Sequence, residues 1–134
     1  MDNPDYARHL TQLGRLSSVP ASPDQARLEA VPNPHPGTLY AVRFAAPEFT
    51  ALCPVTGQPD LYVAVIEYWP EALCLESKAL KLYLNGWRNE AHFCEALTIK
   101  IHEDVARVLE LPPDKVRVTL TQKARGGISI TATS

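Results

Sequence analysis

Between Glu76 and Glu95 the chain reads ESKALKLYLNGWRNEAHFCE: a short helical pattern, a stop, and the opening of a longer helical pattern. Ala79, Leu80, Leu82, Tyr83 and Leu84 supply a wide apolar face for the first helix. Asn85-Gly86 offers the left-handed residue that commonly ends a helix. Asn89 is placed to cap the next one, with Glu90 against its positive end. The second helix is expected from Asn89 to Glu110, with Phe93, Leu97, Ile101, Val105 and Val108 along one stripe, and Pro112-Pro113 stops it. Two helices in succession break any βαβ alternation. The strands on either side must then share an antiparallel layer.

Those strands are legible. Thr38 to Phe44 alternates Tyr40, Val42 and Phe44 against Leu39, Ala41 and Arg43, and Leu61 to Trp69 is a second, more apolar strand. Between them Ala46 to Asp60, broken by Pro47, Pro54, Gly57 and Pro59, reads as a loop. After the helices, Val116 to Thr121 alternates again, Gly126-Gly127 turns the chain, and Ile128 to Thr131 makes the last strand. Upstream, residues 5–14 suit a short helix with Tyr6, Leu10 and Leu13 on one side. Ser17 to Gly37, with five prolines, reads as an extended surface arm. The expectation is one α+β domain over residues 1–134, with residues 1–37 as helix and arm and 38–134 as core. The core would be a four-stranded antiparallel sheet with two helices on one face, in the order ββααββ. Such a sheet has two open edges, and edge-to-edge association into a closed barrel removes them.

At 134 residues and 46% apolar the chain can bury a core, which excludes intrinsic disorder. A net charge of −2 argues against coating nucleic acid or an anionic membrane. The acidic start MDNPDYARHL has no signal pattern, and no apolar run approaches the roughly 20 residues a bilayer requires. Three cysteines, Cys53, Cys74 and Cys94, without a C-x-x-C pair, fit a reducing compartment, so a cytoplasmic location is expected.

Chemistry concentrates in two places. In PEFTALCPVTGQPD a thiol, Cys53, and a carboxyl, Asp60, lie seven residues apart across a Pro/Gly-rich turn. Together they would suffice for addition to a polarised multiple bond, thiolate on carbon and acid on nitrogen. That role needs Asp60 held protonated by apolar surroundings. A lone cysteine is also a common small core residue, which is the plainer reading. In ESKALKLY, Lys78 and Lys81 leave the helix on one side, either to meet an anion or simply as a solvated face. A zinc site from Cys53, His92 and Cys94 is a further reading, but its spacing is wrong for a compact structural site.

Read letter by letter, LTQLGR, PEFTALCPVTGQPD, ESKALKLY, Trp87-Arg88-Asn89, Phe93-x-Glu95 and Arg125-Gly126-Gly127-Ile128 resemble the QueF family, the NADPH-dependent 7-cyano-7-deazaguanine (preQ0) nitrile reductases, in order and spacing. The resemblance implies a tunnelling fold (T-fold) that closes into a ring-type homo-oligomer, a decamer of two stacked pentamers being one form. It implies reduction of preQ0 to 7-aminomethyl-7-deazaguanine for queuosine synthesis, through a thioimide on Cys53 with Asp60 as proton donor. It also implies that Glu95 anchors the purine-like ring beside Phe93, with Glu76 and Ser77 shaping the substrate pocket. Lys78, Lys81 and Arg125 would bind the phosphates of NADPH, with no metal and no direct contact to nucleic acid or membrane. Two other readings stay open: an amidinotransferase-like T-fold relative, and a non-catalytic purine- or pterin-binding T-fold protein. The chain departs from the family at Asn85-Gly86-Trp87 and in the slot where Cys94 stands in place of a histidine before Glu95. On a continuous helix His92 would point away from that slot. Cys94 would then face the pocket of Cys53, and two thiols within about 7 Å (Cα to Cα) can form a disulfide when oxidised.

Overall fold

In the computed structural model the described residues are Leu10 and Val19–Ser134. The helix expected over residues 5–14 lies outside them except for Leu10, which is buried. Elements run α1 (Pro23–Ala26), β1 (Ala30–Pro32), β2 (Val42–Leu52), β3 (Pro59–Tyr68), β4 (Leu73–Leu75), α2 (Ser77–Gly86), α3 (Cys94–Leu109), β5 (Val116–Arg125) and β6 (Ile128–Thr133). Single 3₁₀ turns cover Trp87–Asn89 and Pro113–Lys115. The architecture is α+β. One antiparallel sheet has the order β2-β3-β5-β6, and β1 pairs with β4 in a second, two-stranded sheet.

β3 sets the floor of the core. Asp60, Tyr62, Ala64, Ile66 and Tyr68 face inward on alternate residues, as a half-buried strand dictates. Val116, Val118 and Leu120 of β5 extend that floor, and Leu97, Ile101, Val105 and Leu109 of α3 cover it. Leu80, Leu82 and Tyr83 bring α2 into the same cluster.

The chain departs from its sequence pattern at several points. β2 does not stop at Phe44 but continues through the supposed loop to Leu52. A register shift between Ala46 and Phe49 absorbs Pro47, which an edge strand tolerates because its outer N–H groups need no partner. β3 begins at Pro59, so the loop shrinks to residues 53–58. β5 and β6 likewise run beyond Thr121 and Thr131.

Gly86 is helical (φ −62°) rather than left-handed, and the helix passes directly into a 3₁₀ turn. Glycine is needed for another reason: a Cβ there would stand 2.6 Å from Ser22 C and Pro23 N. The arm, expected on the surface, thus packs onto α2, and Pro23, Ala26, Val31 and Asn33 are buried.

The second helix starts at Cys94, not Asn89. Glu90 to Phe93 runs extended beside the end of β2: Leu52 N donates to Glu90 O (2.9 Å) and His92 N to Leu52 O (3.2 Å). Asn89 therefore caps nothing, and the residue ahead of α3 is Phe93, with no side-chain cap. Phe93 leaves the core stripe and is 58% exposed. At the other end Glu110 adopts the left-handed conformation (φ 55°) and Leu111 N donates to Ala106 O. No helix among the described residues is long and apolar enough to cross a membrane.

Candidate active site

Cys53 follows the last residue of β2 and opens a six-residue loop. Its N–H donates to Gln58 O (2.8 Å), and its carbonyl accepts from Gly57 N (2.9 Å). Gly57 supplies the positive φ (70°) that this reversal requires. Thr56 Oγ1 accepts from Gln58 N (3.2 Å) and closes the turn from inside. The strand that leaves the loop places Asp60 opposite Ala51, so thiol and carboxyl share the end of one hairpin. Asp60 is buried, and Thr50 Oγ1 donates to its carbonyl (2.9 Å).

A third strand completes the cluster. Arg125, the last residue of β5, donates from Nη1 to Asp60 Oδ1 and stands as a positive charge beside the Cys53 thiol. These neighbours raise the Arg125 pKa further above its ordinary value, Cys53 first. The Cys53 pKa is lowered to about 7. The Thr56 hydroxyl contributes most, then the N–H groups of Thr56 and Val55, then Arg125, against a smaller opposing cost of burial. A thiol so placed is substantially ionised at neutral pH. Asp60 meets a guanidinium on one side, not the wholly apolar setting expected for it.

The other named residues fall into two groups. Glu95 lies exposed in the first turn of α3, with exposed Phe93 just before it. The hydrogen bonds between Leu52 and the Glu90–His92 segment bring this helix start beside Cys53. Ser77 and Lys81 lie instead in a groove of about 340 Å³ between β2 and α2, with Phe44, Phe49, Asn85 and Arg88 among its walls. Lys78 is half-buried outside that groove. Glu76 is buried, and both its carboxylate oxygens are taken by α2, accepting from Lys78 N (2.9 Å) and Ala79 N (2.8 Å). It is an N-cap.

Cys94 is buried, donates its thiol to Leu120 O (3.7 Å), and is pushed up in pKa mainly by burial. His92, outside any helix, packs its ring edge-on to Trp87 at 5.2 Å. The helical geometry expected to separate 92 from 94 does not apply. Cys53, Cys74 and Cys94 are all free thiols. Among the described residues no three His, Cys, Asp or Glu side chains gather as a metal site.

Two residues of this region were not singled out by the sequence. Thr56 had a readable signal, a hydroxyl three residues after the cysteine in a Pro/Gly turn. Tyr62 had none. Its hydroxyl is buried without a hydrogen-bond partner, and burial, with Asp60 next in weight, pushes its pKa up.

Comparison with known proteins identifies the family. Residues 59–134 match the family model described as QueF-like protein. The chain is 53% identical over 121 residues to the NADPH-dependent 7-cyano-7-deazaguanine reductase of Granulibacter bethesdensis, covering 90% of this chain and 78% of that one. It is 50% identical over 129 residues to the same-named protein of Hyphomonas neptunium, covering 96% and 81%. A crystal structure of the archaeosine synthase QueF-Like in the apo form shares the fold, with a TM-score of 0.61 at 18% identity, over 75% of this chain and 94% of that one. With half its length in the family model and half its residues shared with named reductases, the chain belongs to the QueF family.

Proposed function

We propose that this protein reduces the nitrile of 7-cyano-7-deazaguanine to the aminomethyl group at the expense of NADPH. The observation that carries the reading is the Cys53–Asp60–Arg125 cluster, found in a chain about half identical to reductases of that name. Cys53 is the nucleophile. Its sulfur bonds to the nitrile carbon, the triple bond becomes C=N, and the nitrogen takes one proton. With Arg125 on its carboxylate, Asp60 takes that proton from the Cys53 thiol and passes it to the nitrogen. The product of this step is a thioimide, balanced in atoms and charge. Glu95 accepts N–H groups of the purine-like ring, and Phe93 flanks its face.

The groove between β2 and α2 suits a dinucleotide because it sets Lys81 and Arg88 beside the rings of Phe44 and Phe49. Lys81 would hold phosphate there, with Ser77, Asn85 and Arg88 around it and Lys78 one helical turn away. NADPH supplies hydride, two equivalents for nitrile to amine. Glu76 serves the site by holding the start of α2 in place.

The same reading takes the protein as a T-fold ring. β2 and β6 are the open edges of the sheet, and Ile128 and Ile130 of β6 are 70% and 41% exposed. A ring would pair those edges. Three free thiols suit the reducing cytoplasm. The test is direct: protein, preQ0 and NADPH are mixed and nicotinamide absorbance is followed. Substrate-dependent oxidation of two NADPH per preQ0 is expected, and no oxidation under any condition where the protein is folded overturns the reading.

A further inference from the structure

The groove between β2 and α2 has a direction, because hydrogen bonds on both of its walls tie one end to Cys53 and Asp60. On the helical wall, Glu90 follows Arg88 by two residues, and its carbonyl accepts from Leu52 N (2.9 Å), next to Cys53. On the strand wall, Thr50 lines the groove and its Oγ1 donates to the carbonyl of Asp60 (2.9 Å). The Arg88 end therefore adjoins the Cys53–Asp60 hairpin. Ser77 stands at the other end of the helical wall, roughly 16 Å away along its axis.

Ser77, Lys81, Asn85 and Arg88 recur every three or four residues, so they form one polar row down that wall. The rings of Phe44 and Phe49 stand on the strand wall. Lys81 and Arg88 are about 10 Å apart along the axis. Among the described residues neither is paired with a carboxylate. Glu48 also lines the groove, and a carboxylate there suits ribose hydroxyls rather than phosphate. Arg88 Nη1 reaches Asn85 Oδ1 (3.5 Å), and Asn85 Nδ2 is buried with no acceptor among the described residues. A guanidinium beside an unfilled amide donor makes a place for phosphate oxygens.

We propose that the groove takes NADPH in one direction, nicotinamide toward Cys53, with Arg88 on the pyrophosphate and Lys81 on the 2′-phosphate. The inference rests on the reading of the groove as the cofactor site and adds its polarity. In this dinucleotide the pyrophosphate lies between the nicotinamide and the adenosine that carries the 2′-phosphate. Only the end beside Cys53 lets a nicotinamide face a carbon held on that sulfur. The cation nearer Cys53 then meets the inner charge, and the cation further away meets the outer one. Their chemistry agrees: the Arg88 fork can span two oxygens of a pyrophosphate, and Lys81 is a point charge for a terminal phosphate.

The experiment measures binding without turnover. Nicotinamide fluorescence of NADPH and of NADH is titrated with the full chain as wild type, Arg88→Ala, Arg88→Lys and Lys81→Ala. Arg88→Ala should raise Kd about tenfold or more for both cofactors by the same factor, leaving the preference between them unchanged. Lys81→Ala should weaken NADPH about tenfold and NADH by less than about twofold. Arg88→Lys should recover most of the loss, because the charge returns without the fork. A loss caused only by disturbed folding would not be recovered by lysine. By calorimetry 2′-AMP, which carries the outer phosphate alone, should bind Arg88→Ala as it binds wild type. A loss in Arg88→Ala confined to NADPH and 2′-AMP reverses the polarity and overturns the inference, and so does unchanged binding of both cofactors. Wild type that binds neither cofactor overturns the reading of the groove itself, an outcome told apart because it appears before any substitution.

Discussion

Arg125 and Asp60, 65 positions apart in the chain, are joined by a hydrogen bond and ion pair at the mouth of the β2–β3 hairpin. The family resemblance implies a cofactor phosphate as the partner of Arg125, whereas the fold sets it on Asp60. Both can hold in turn, because its side chain is 42% exposed.

Arg125→Ala should therefore slow thioimide formation before any cofactor is added. The Cys53 pKa lies below the usual thiol value, so reactive thiolate is gained as pH rises through about 7. Without Arg125 that rise should shift to higher pH. The adduct rate should fall severalfold at pH 6.5 and recover by about pH 9, where an unassisted thiol is ionised. Stopped-flow mass measurement across pH checks this, and a deficit constant with pH would assign Arg125 to binding, not ionisation.

Lys81→Ala should raise KM for NADPH about tenfold to a hundredfold, the worth of one charged hydrogen bond to phosphate of about 1.5–3 kcal/mol. Lys81 lines the groove and Lys78 does not, so Lys78→Ala should have the smaller effect. Parallel assays with NADH tell which phosphate is met. Equal losses with both cofactors would place Lys81 on the pyrophosphate.

Asp104 offers a pH test of the fold. It is buried, and it accepts from Tyr83 Oη (2.6 Å), Lys100 Nζ (3.0 Å) and Arg107 Nη2 (2.8 Å). Burial opposes its charge, but these three donors outweigh that cost and lower its pKa. A carboxyl lowered on folding stabilises above its unfolded pKa, about 3.9, and that stability is lost as pH falls through the folded value. Urea midpoints should thus fall below about pH 4 in wild type. Asp104→Asn should cost about 1–3 kcal/mol at pH 7 and flatten that acid limb. An unchanged acid limb in the variant would show that other carboxylates govern it.

Gly86→Ala is the reverse of the usual helix substitution. Alanine in a helix generally gains about 0.5–1 kcal/mol over glycine. Here the new methyl meets backbone atoms of Ser22 and Pro23 at 2.6 to 2.8 Å, which cannot rotate away. The variant should lose about 1–3 kcal/mol. Thermal unfolding at pH 7 checks the sign, and a gain would show that the arm shifts freely.

The sequence carried the order of elements because strand and helix periods differ and the apolar residues obeyed them. β3 and the 97–101–105 stripe of α3 are cases in point. Boundaries failed where tertiary contact overrode local signals. Pro47 marks a loop by composition yet sits in an edge strand with a register shift. Asn89 and Glu90 look like a helix start, but their segment is drawn out straight by hydrogen bonds to Leu52. The candidate site was legible at Cys53 and Asp60, whose neighbourhood is local in sequence. Arg125 was legible as a residue but not in its partner, since register across β3 and β5 determines whom it meets. Tyr62 was hidden because an inward tyrosine on a strand reads as ordinary core.

The straightened Glu90–His92 segment has a further effect. Leu52 is bonded in both directions to it, so the residue before Cys53 and the approach to Glu95 are tied together through the backbone. In the proposed reaction, a substrate gripped by its ring at Glu95 and attacked at Cys53 would thereby be measured against a fixed ruler. Spacing between ring and electrophile, not polarity alone, becomes a criterion of selection. A nitrile set one carbon further from the same ring should dock and fail to react.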